Sequence, residues 1–187
     1  RAASADVLVE LAKQVDNMIV SSADLSNSDK TDGFIKGGAR NLVKGDFSGK
    51  FLQAGVAELT MATICNGIAL HGGIHVACGT FFVFSDYMKP AFRLSALMEL
   101  PVKYIWSHDA FRVGEDGPTH QPIEHEAQLR LMEKMQNHSG KMSLLALRPA
   151  DAAETSVAWK MAMANTSTPT ALILSRQNIN DLPARNN

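Results

Sequence analysis

Cysteine is scarce in this sequence: only Cys65 and Cys78 occur, thirteen positions apart. That spacing matches no zinc-ligand pattern. Two thiols in a chain of 187 residues suit a reducing compartment, most simply the cytoplasm. No apolar run reaches the roughly eighteen residues a spanning helix needs, and no charged-then-apolar leader is present. A charge excess is missing too. With 18 Lys and Arg against 19 Asp and Glu, the net charge is -1. This excludes the basic footprint of a nucleic-acid binder and a polybasic membrane anchor. There is no internal repeat and no low-complexity segment. What remains is ordinary globular chemistry, 45% hydrophobic and 20% charged, enough for one full-sized domain. The chain begins at Arg1 rather than Met and is expected to be a piece of something longer.

Short apolar runs alternate with longer amphipathic ones. Apolar positions Val7, Leu8, Leu11, Ala12 and Val15 recur at helical spacing over residues 5–15. A strand at 18–20 follows, then the polar loop SSADLSNSDKTDG. The pattern predicts a helix over 58–70 stopped by Gly72 and Gly73, and a strand at 74–78 ended by Gly79. Residues 86–99 read as helical, with Pro90 tolerable only near the first turn. A strand at 102–106, a helix at about 122–136 and a strand at 144–147 come next. Asp151 with Glu154 forms an acidic capping box for a helix to about Asn165. A buried strand at 170–174 precedes a polar tail. This alternation argues for an open, mostly parallel α/β sheet with helices on both faces. The domain spans residues 1–178, and 179–187 is a linker. Functional loops of such sheets lie beyond the carboxyl ends of the strands. Ser22-Ala23-Asp24, Gly79-Thr80-Phe81, His108-Asp109 and Ser175-Arg176 would therefore share one edge.

Four clusters carry reactive groups, and each has a plainer reading. HDAFRVGEDGPTHQP (108–122) holds enough Gly and Pro to be a solvated turn. Yet His108, Asp116 and His120 exceed what a turn requires. They could ligate a metal for a hydrolase, but the histidines stand twelve apart with no third nitrogen or sulfur ligand near. Phe81, Phe84 and Tyr87, at three-residue intervals, are either core packing or flat walls for a planar ring. Glu58 either favours a helix dipole or is a buried carboxylate in need of a partner. Its neighbours Val56, Leu59, Met61 and Ile64 imply burial. Arg176 either lays its stem on apolar surface or clamps an anion.

Together, GEDGPTHQPIE, SSADL, GTFFVFSDYMKPAFRLSAL, LRPADAAET and LILSRQN resemble the transketolase family, in the family's order and over nearly the whole chain. The resemblance is to the middle, pyrimidine-binding domain, with the thiamine-diphosphate-binding fold. It implies thiamine diphosphate as cofactor and a dimer acting in the pentose phosphate pathway. Glu58 would bond a ring nitrogen of the aminopyrimidine and favour the tautomer that deprotonates the thiazolium carbon. Phe81, Phe84 and Tyr87 would enclose the pyrimidine, with Asp24 near the cofactor. Asp116 would recognise the hydroxyl beside the reacting carbon, and His120 would stand close to the carbonyl. Arg1, Ser28, His108 and Arg176 would hold the sugar phosphate. The implied reaction moves a two-carbon ketol unit from a ketose phosphate to an aldose phosphate.

The family's diphosphate- and metal-binding motif is absent from these residues. The resemblance therefore implies a partner domain that carries the divalent metal (Mg or Ca) and binds against this one. The fragment alone is expected to be inactive. Some positions depart from the pattern. The family usually has REH around the glutamate, against Ala57-Glu58-Leu59 here, and a small triplet where this chain has Ala110-Phe111-Arg112. EKMQNHSGKMS looks a few residues longer than usual. These departures favour, as rivals, a non-catalytic binding domain that has kept the fold. Related deoxyxylulose-phosphate and dihydroxyacetone synthases are further alternatives.

Overall fold

The computed structural model describes residues 1–183. It contains a six-stranded sheet in the order β2-β1-β3-β4-β6-β5. The strands are β1 (Met18–Ser22), β2 (Phe51–Gln53), β3 (His75–Phe81), β4 (Lys103–Ser107), β5 (Leu145–Leu147) and β6 (Thr170–Leu174), and every pairing is parallel. The helices are α1 (Ala2–Gln14), α2 (Ser26–Asp29), α3 (Gly33–Lys36), α4 (Glu58–His71), α5 (Ser85–Leu97), α6 (His125–Lys134) and α7 (Ala152–Ala164). The expected α/β sheet with helices on both faces is the fold observed. No helix among the described residues is long and apolar enough to cross a membrane.

Strand alternation sorts the core into two layers. Val76, Cys78, Tyr104, Trp106 and Ile173 face one side, where Met61, Cys65, Met88 and Phe92 of α4 and α5 cover them. Ala77, Ile105, Leu172 and Leu174 face the other, against Leu8 of α1, Phe34 of α3 and Trp159 of α7. Buried polar groups pair across elements. Trp159 donates to Ser4 Oγ at 2.9 Å, Asn66 Nδ2 to the Ala91 carbonyl at 2.8 Å, and Ser95 Oγ lies 2.6 Å from the Tyr104 hydroxyl.

The structure corrects several boundaries. β3 does not end at Gly79 but runs through it to Phe81. Glycine is required there by close packing, since a Cβ would come within 2.5 Å of Thr31 Cγ2 and 2.9 Å of Asp29 Oδ2. α5 starts at Ser85 behind a 3-10 turn, so Pro90 falls in the second turn, where it removes one helical hydrogen bond. Part of the polar loop after β1 forms α2 and α3, and β2 is a strand the sequence pattern does not announce. Asp151 caps α7 as expected, accepting from Glu154 N at 2.8 Å, but the Glu154 carboxylate accepts from Ala150 N rather than Asp151 N. In the expected linker, Leu182 N donates to Asp151 Oδ2 and Asp181 accepts from Ala152 N, each at 3.2 Å, so the tail begins by lying over the start of α7. Its residues 184–187 lie outside the described ones.

Candidate active site

The carboxyl ends of β1, β3, β4 and β6 deliver their loops to one edge of the sheet. β3 passes directly into the aromatic turn. Phe81 stacks on Phe84 at 5.7 Å between centroids, and Phe84 on Tyr87 at 5.8 Å. Phe81 is buried while Tyr87 is exposed, so the wall runs from core to surface. β4 ends at Ser107 and hands the chain to His108, which adopts a left-handed φ of 61°. This turn lays the imidazole against Phe81 with centroids 3.6 Å apart, and Ser107 Oγ lies 2.9 Å from His108 Nδ1. His120 closes the other side, edge-on to Phe84 at 5.3 Å.

Beyond the rings lies a charged cluster. His108 Nε2 is 3.8 Å from Asp116 Oδ2, and Arg176 Nε is 2.8 Å from the same oxygen. Arg176 also pairs with Glu115. The Arg176 approach lacks hydrogen-bond angles, so the buried Asp116 Oδ2 has no hydrogen-bond partner. Burial, and then the Arg1 charge, push the His108 imidazole down to about 4. It is therefore neutral at physiological pH, and its contact with Asp116 is not an ion pair. Arg1 Nη1 donates to the Ser28 carbonyl at 2.5 Å. Burial and the nearby Arg176 lower Arg1 from the usual arginine value. The aromatic residues, His108, His120, Asp116 and Arg176 thus form one connected set, to which Arg1, bonded to Ser28, is coupled by charge.

Two expected residues join less directly. Glu58, the first residue of α4, is 6% exposed, and its one side-chain partner among the described residues is Thr80 Oγ1 at 3.4 Å. The apolar neighbours expected to bury it do not. Met61 is fully buried, but Val56 is 80% exposed and Leu59 and Ile64 are exposed, because these side chains point away from the sheet. Glu58 instead meets the adjoining end of β3 through Thr80. Asp24 is exposed with φ of 62° and has no hydrogen bond or ion pair to the others among the described residues, although Ala23 N bonds the Gly79 carbonyl at 3.2 Å. His108, Asp116 and His120 are not grouped at metal-ligand spacing. Among the described residues only Asp86, Glu124 and His125 are, and His125 Nε2 there meets Asp86 Oδ2 at 3.1 Å and the Val83 carbonyl at 3.2 Å.

The family model for "Transketolase, pyrimidine binding domain" matches residues 1–181. The chain belongs to that family. It is 49% identical over 184 residues to the transketolase of Geobacillus stearothermophilus, covering 98% of this chain and 26% of that protein. To the transketolase of Bacillus subtilis (strain 168) it is 50% identical over 179 residues, covering 96% and 25%. The structure of transketolase from Leishmania mexicana superposes with a TM-score of 0.86 at 38% identity, covering 95% of this chain and 25% of that one. A structure described as "Split gene transketolase, inactive beta4 tetramer" matches with a TM-score of 0.72 at 29% identity, covering 98% and 53%. The chain thus spans about a quarter of the length of the curated transketolases it matches.

Sequence reasoning missed one buried carboxylate at this edge of the sheet. Asp29 is 1% exposed, accepting from Ser22 Oγ at 2.8 Å, Thr31 N at 2.8 Å and Thr31 Oγ1 at 2.7 Å. Burial raises its carboxyl to about 6 against the pull of those bonds. It fixes the loop that carries Asp24 and Ser28 and abuts Gly79, the residue before Thr80. Hydroxyls at Ser22 and Thr31 flanking an Asp just past a strand were the available signal.

Proposed function

We propose that this chain is the pyrimidine-binding part of a transketolase. The enzyme moves a two-carbon ketol unit from a ketose phosphate to an aldose phosphate with thiamine diphosphate. The observation that carries the reading is the unbroken run of contacts from the aromatic wall of Phe81, Phe84 and Tyr87 through His108 and Asp116 to Arg176. It joins a flat apolar surface fit for a pyrimidine to a polar channel fit for a sugar phosphate. Bound there, the cofactor supplies the carbanion chemistry.

Each residue then has a task. Glu58, buried beside Thr80, hydrogen-bonds a ring nitrogen of the aminopyrimidine. Asp24 lies on a loop near that ring. Asp116 accepts the substrate hydroxyl next to the reacting carbon, and His120 faces the carbonyl. Neutral His108 takes up a phosphate oxygen by hydrogen bond rather than charge. Ser28, Arg1 and Arg176 complete that end, where guanidinium forks suit phosphate geometry.

The diphosphate, with its Mg or Ca ion, belongs on a partner domain, either of a second subunit in a homodimer or of a separate chain. α4 and α5 expose Leu59, Tyr87, Leu94 and Leu97, an apolar surface suited to such a partner. Residues 1–178 form the domain, and 179–187 lead toward the next one. A cytoplasmic enzyme of the pentose phosphate pathway fits these features.

The test is Glu58→Gln in the full-length protein, assayed with xylulose 5-phosphate and ribose 5-phosphate. Turnover is expected to fall about 100-fold or more, as for loss of a general acid-base group. Unchanged turnover would defeat the catalytic assignment. Activity from these 187 residues without a partner would sink the shared-site assignment.

A further inference from the structure

The triplet Ala110-Phe111-Arg112 stands inside the channel loop but has no part in the reading above. Its conformation is unusual. Ala110 and Arg112 both have left-handed backbones, with φ of 82° and 50°. Side chains on either side hold it there. Asp109 Oδ1 accepts from Phe111 N at 3.1 Å, Gln121 Nε2 donates to the Ala110 carbonyl at 3.1 Å, and Gln177 Nε2 donates to the Arg112 carbonyl at 2.9 Å. Gln121 follows His120 and Gln177 follows Arg176, so both tethers run to residues adjoining the channel. Asp109 is itself anchored by Arg148 at 3.1 Å.

The tethers set two side chains at the channel mouth. Phe111 is 47% exposed, and the Arg112 guanidinium lies over its ring, 5.2 Å from the centroid. Stacking on a ring face orients a guanidinium while leaving its N–H edge free for an anion. Among the described residues Arg112 has no ion pair, unlike Arg176, which is held by Asp116 and Glu115.

Local charge makes the difference functional. Arg176 is engaged by both Glu115 and Asp116, so the two arginines Arg1 and Arg176 stand against two carboxylates, and His108 is neutral. Without Arg112 the cluster has no net charge to offer a phosphate dianion. With it, the cluster is positive.

We propose that Arg112, oriented on the ring of Phe111, is a specificity-determining residue that selects phosphorylated sugars over the same sugars without phosphate. This rests on the ketol-transfer reading above. The experiment uses the full-length protein with ribose 5-phosphate or unphosphorylated ribose as acceptor. Arg112→Ala raises KM for ribose 5-phosphate about tenfold, the scale of one charged contact, with kcat within twofold and KM for ribose unchanged. Arg112→Lys keeps part of the preference, because it retains charge but loses the fork. Arg112→Gly, which also relieves the left-handed backbone, matches Arg112→Ala. Equal effects on both acceptors, no effect on either, or wild-type behaviour from Arg112→Gly overturns the proposal. Wild-type protein that transfers to neither acceptor overturns the ketol-transfer reading itself, and the proposal with it.

Discussion

Phe81 lies against His108 with ring centroids 3.6 Å apart and planes inclined by 29°. One residue closes β3 and the other follows β4, so the contact joins the proposed cofactor wall to the proposed phosphate end. It also explains why the imidazole is neutral, since an aromatic face replaces the water that would solvate a cation.

A pH dependence of stability follows. The unfolded chain takes up the His108 proton near 6.5 and the folded chain only near 4. Across that window the unfolded state binds more protons, so stability falls as pH drops from 6.5 through 4. Replacing His108 with Gln is expected to flatten this acid limb. Melting temperatures of the two proteins at half-unit pH steps will check it.

Asp29 titrates with the opposite sign. Its folded value of about 6 lies above the ordinary 3.8, so stability drawn from its protonation is lost as pH rises from 3.8 through 6. Asp29→Asn should therefore gain on the wild type as pH rises, by on the order of 1–3 kcal/mol at pH 7.5. Urea titrations at pH 5 and 7.5 give the comparison. An equal difference at both pH values counts against the assignment.

Gly79→Ala should destabilise the fold by about 2 kcal/mol, the usual cost of overpacking. The added methyl meets Thr31 Cγ2 at 2.5 Å and Asp29 Oδ2 at 2.9 Å. Because Thr80, the next residue of β3, donates to Glu58 of α4, the same variant of the full-length protein is expected to lose turnover at temperatures where it remains folded.

Lys103 is 1% exposed, and its ammonium has one partner, the Pro101 carbonyl at 2.8 Å. Burial lowers it to about 8. The folded form loses its proton before the unfolded one, so stability rises with pH between about 8 and 10.5. Lys103→Met is expected to stabilise the chain by on the order of 2 kcal/mol at pH 7. That advantage shrinks toward pH 10 and is measured by calorimetry at both values.

The sequence revealed the sheet and its site edge more clearly than the local contacts. β6 was legible because Thr170 and the four apolar residues after it, set between polar turns, leave little else for 170–174 to be. Phe81, Phe84 and Tyr87 were legible as a set because their spacing and the preceding Gly-Thr stand out. β2 was not, since three residues carry no readable period. The burial of Glu58 was expected for the wrong reason, because periodicity cannot say whether an apolar side chain faces the sheet or the outside. Asp29 escaped notice because its partners come from the far end of β1 and from Thr31, a closure that only the folded loop creates.

The wholly parallel sheet also governs how the chain must reach its native state. No strand pair closes through a tight hairpin. Met18 pairs with His75 and Lys103 with Thr170, so each central pairing waits for a helix-bearing crossover to come round. Such distant closures make for slow refolding, and the apolar faces of α4 and α5 stay open to other chains throughout. Recovery after denaturation should therefore depend on protein concentration, and dilution should favour the native form over aggregate.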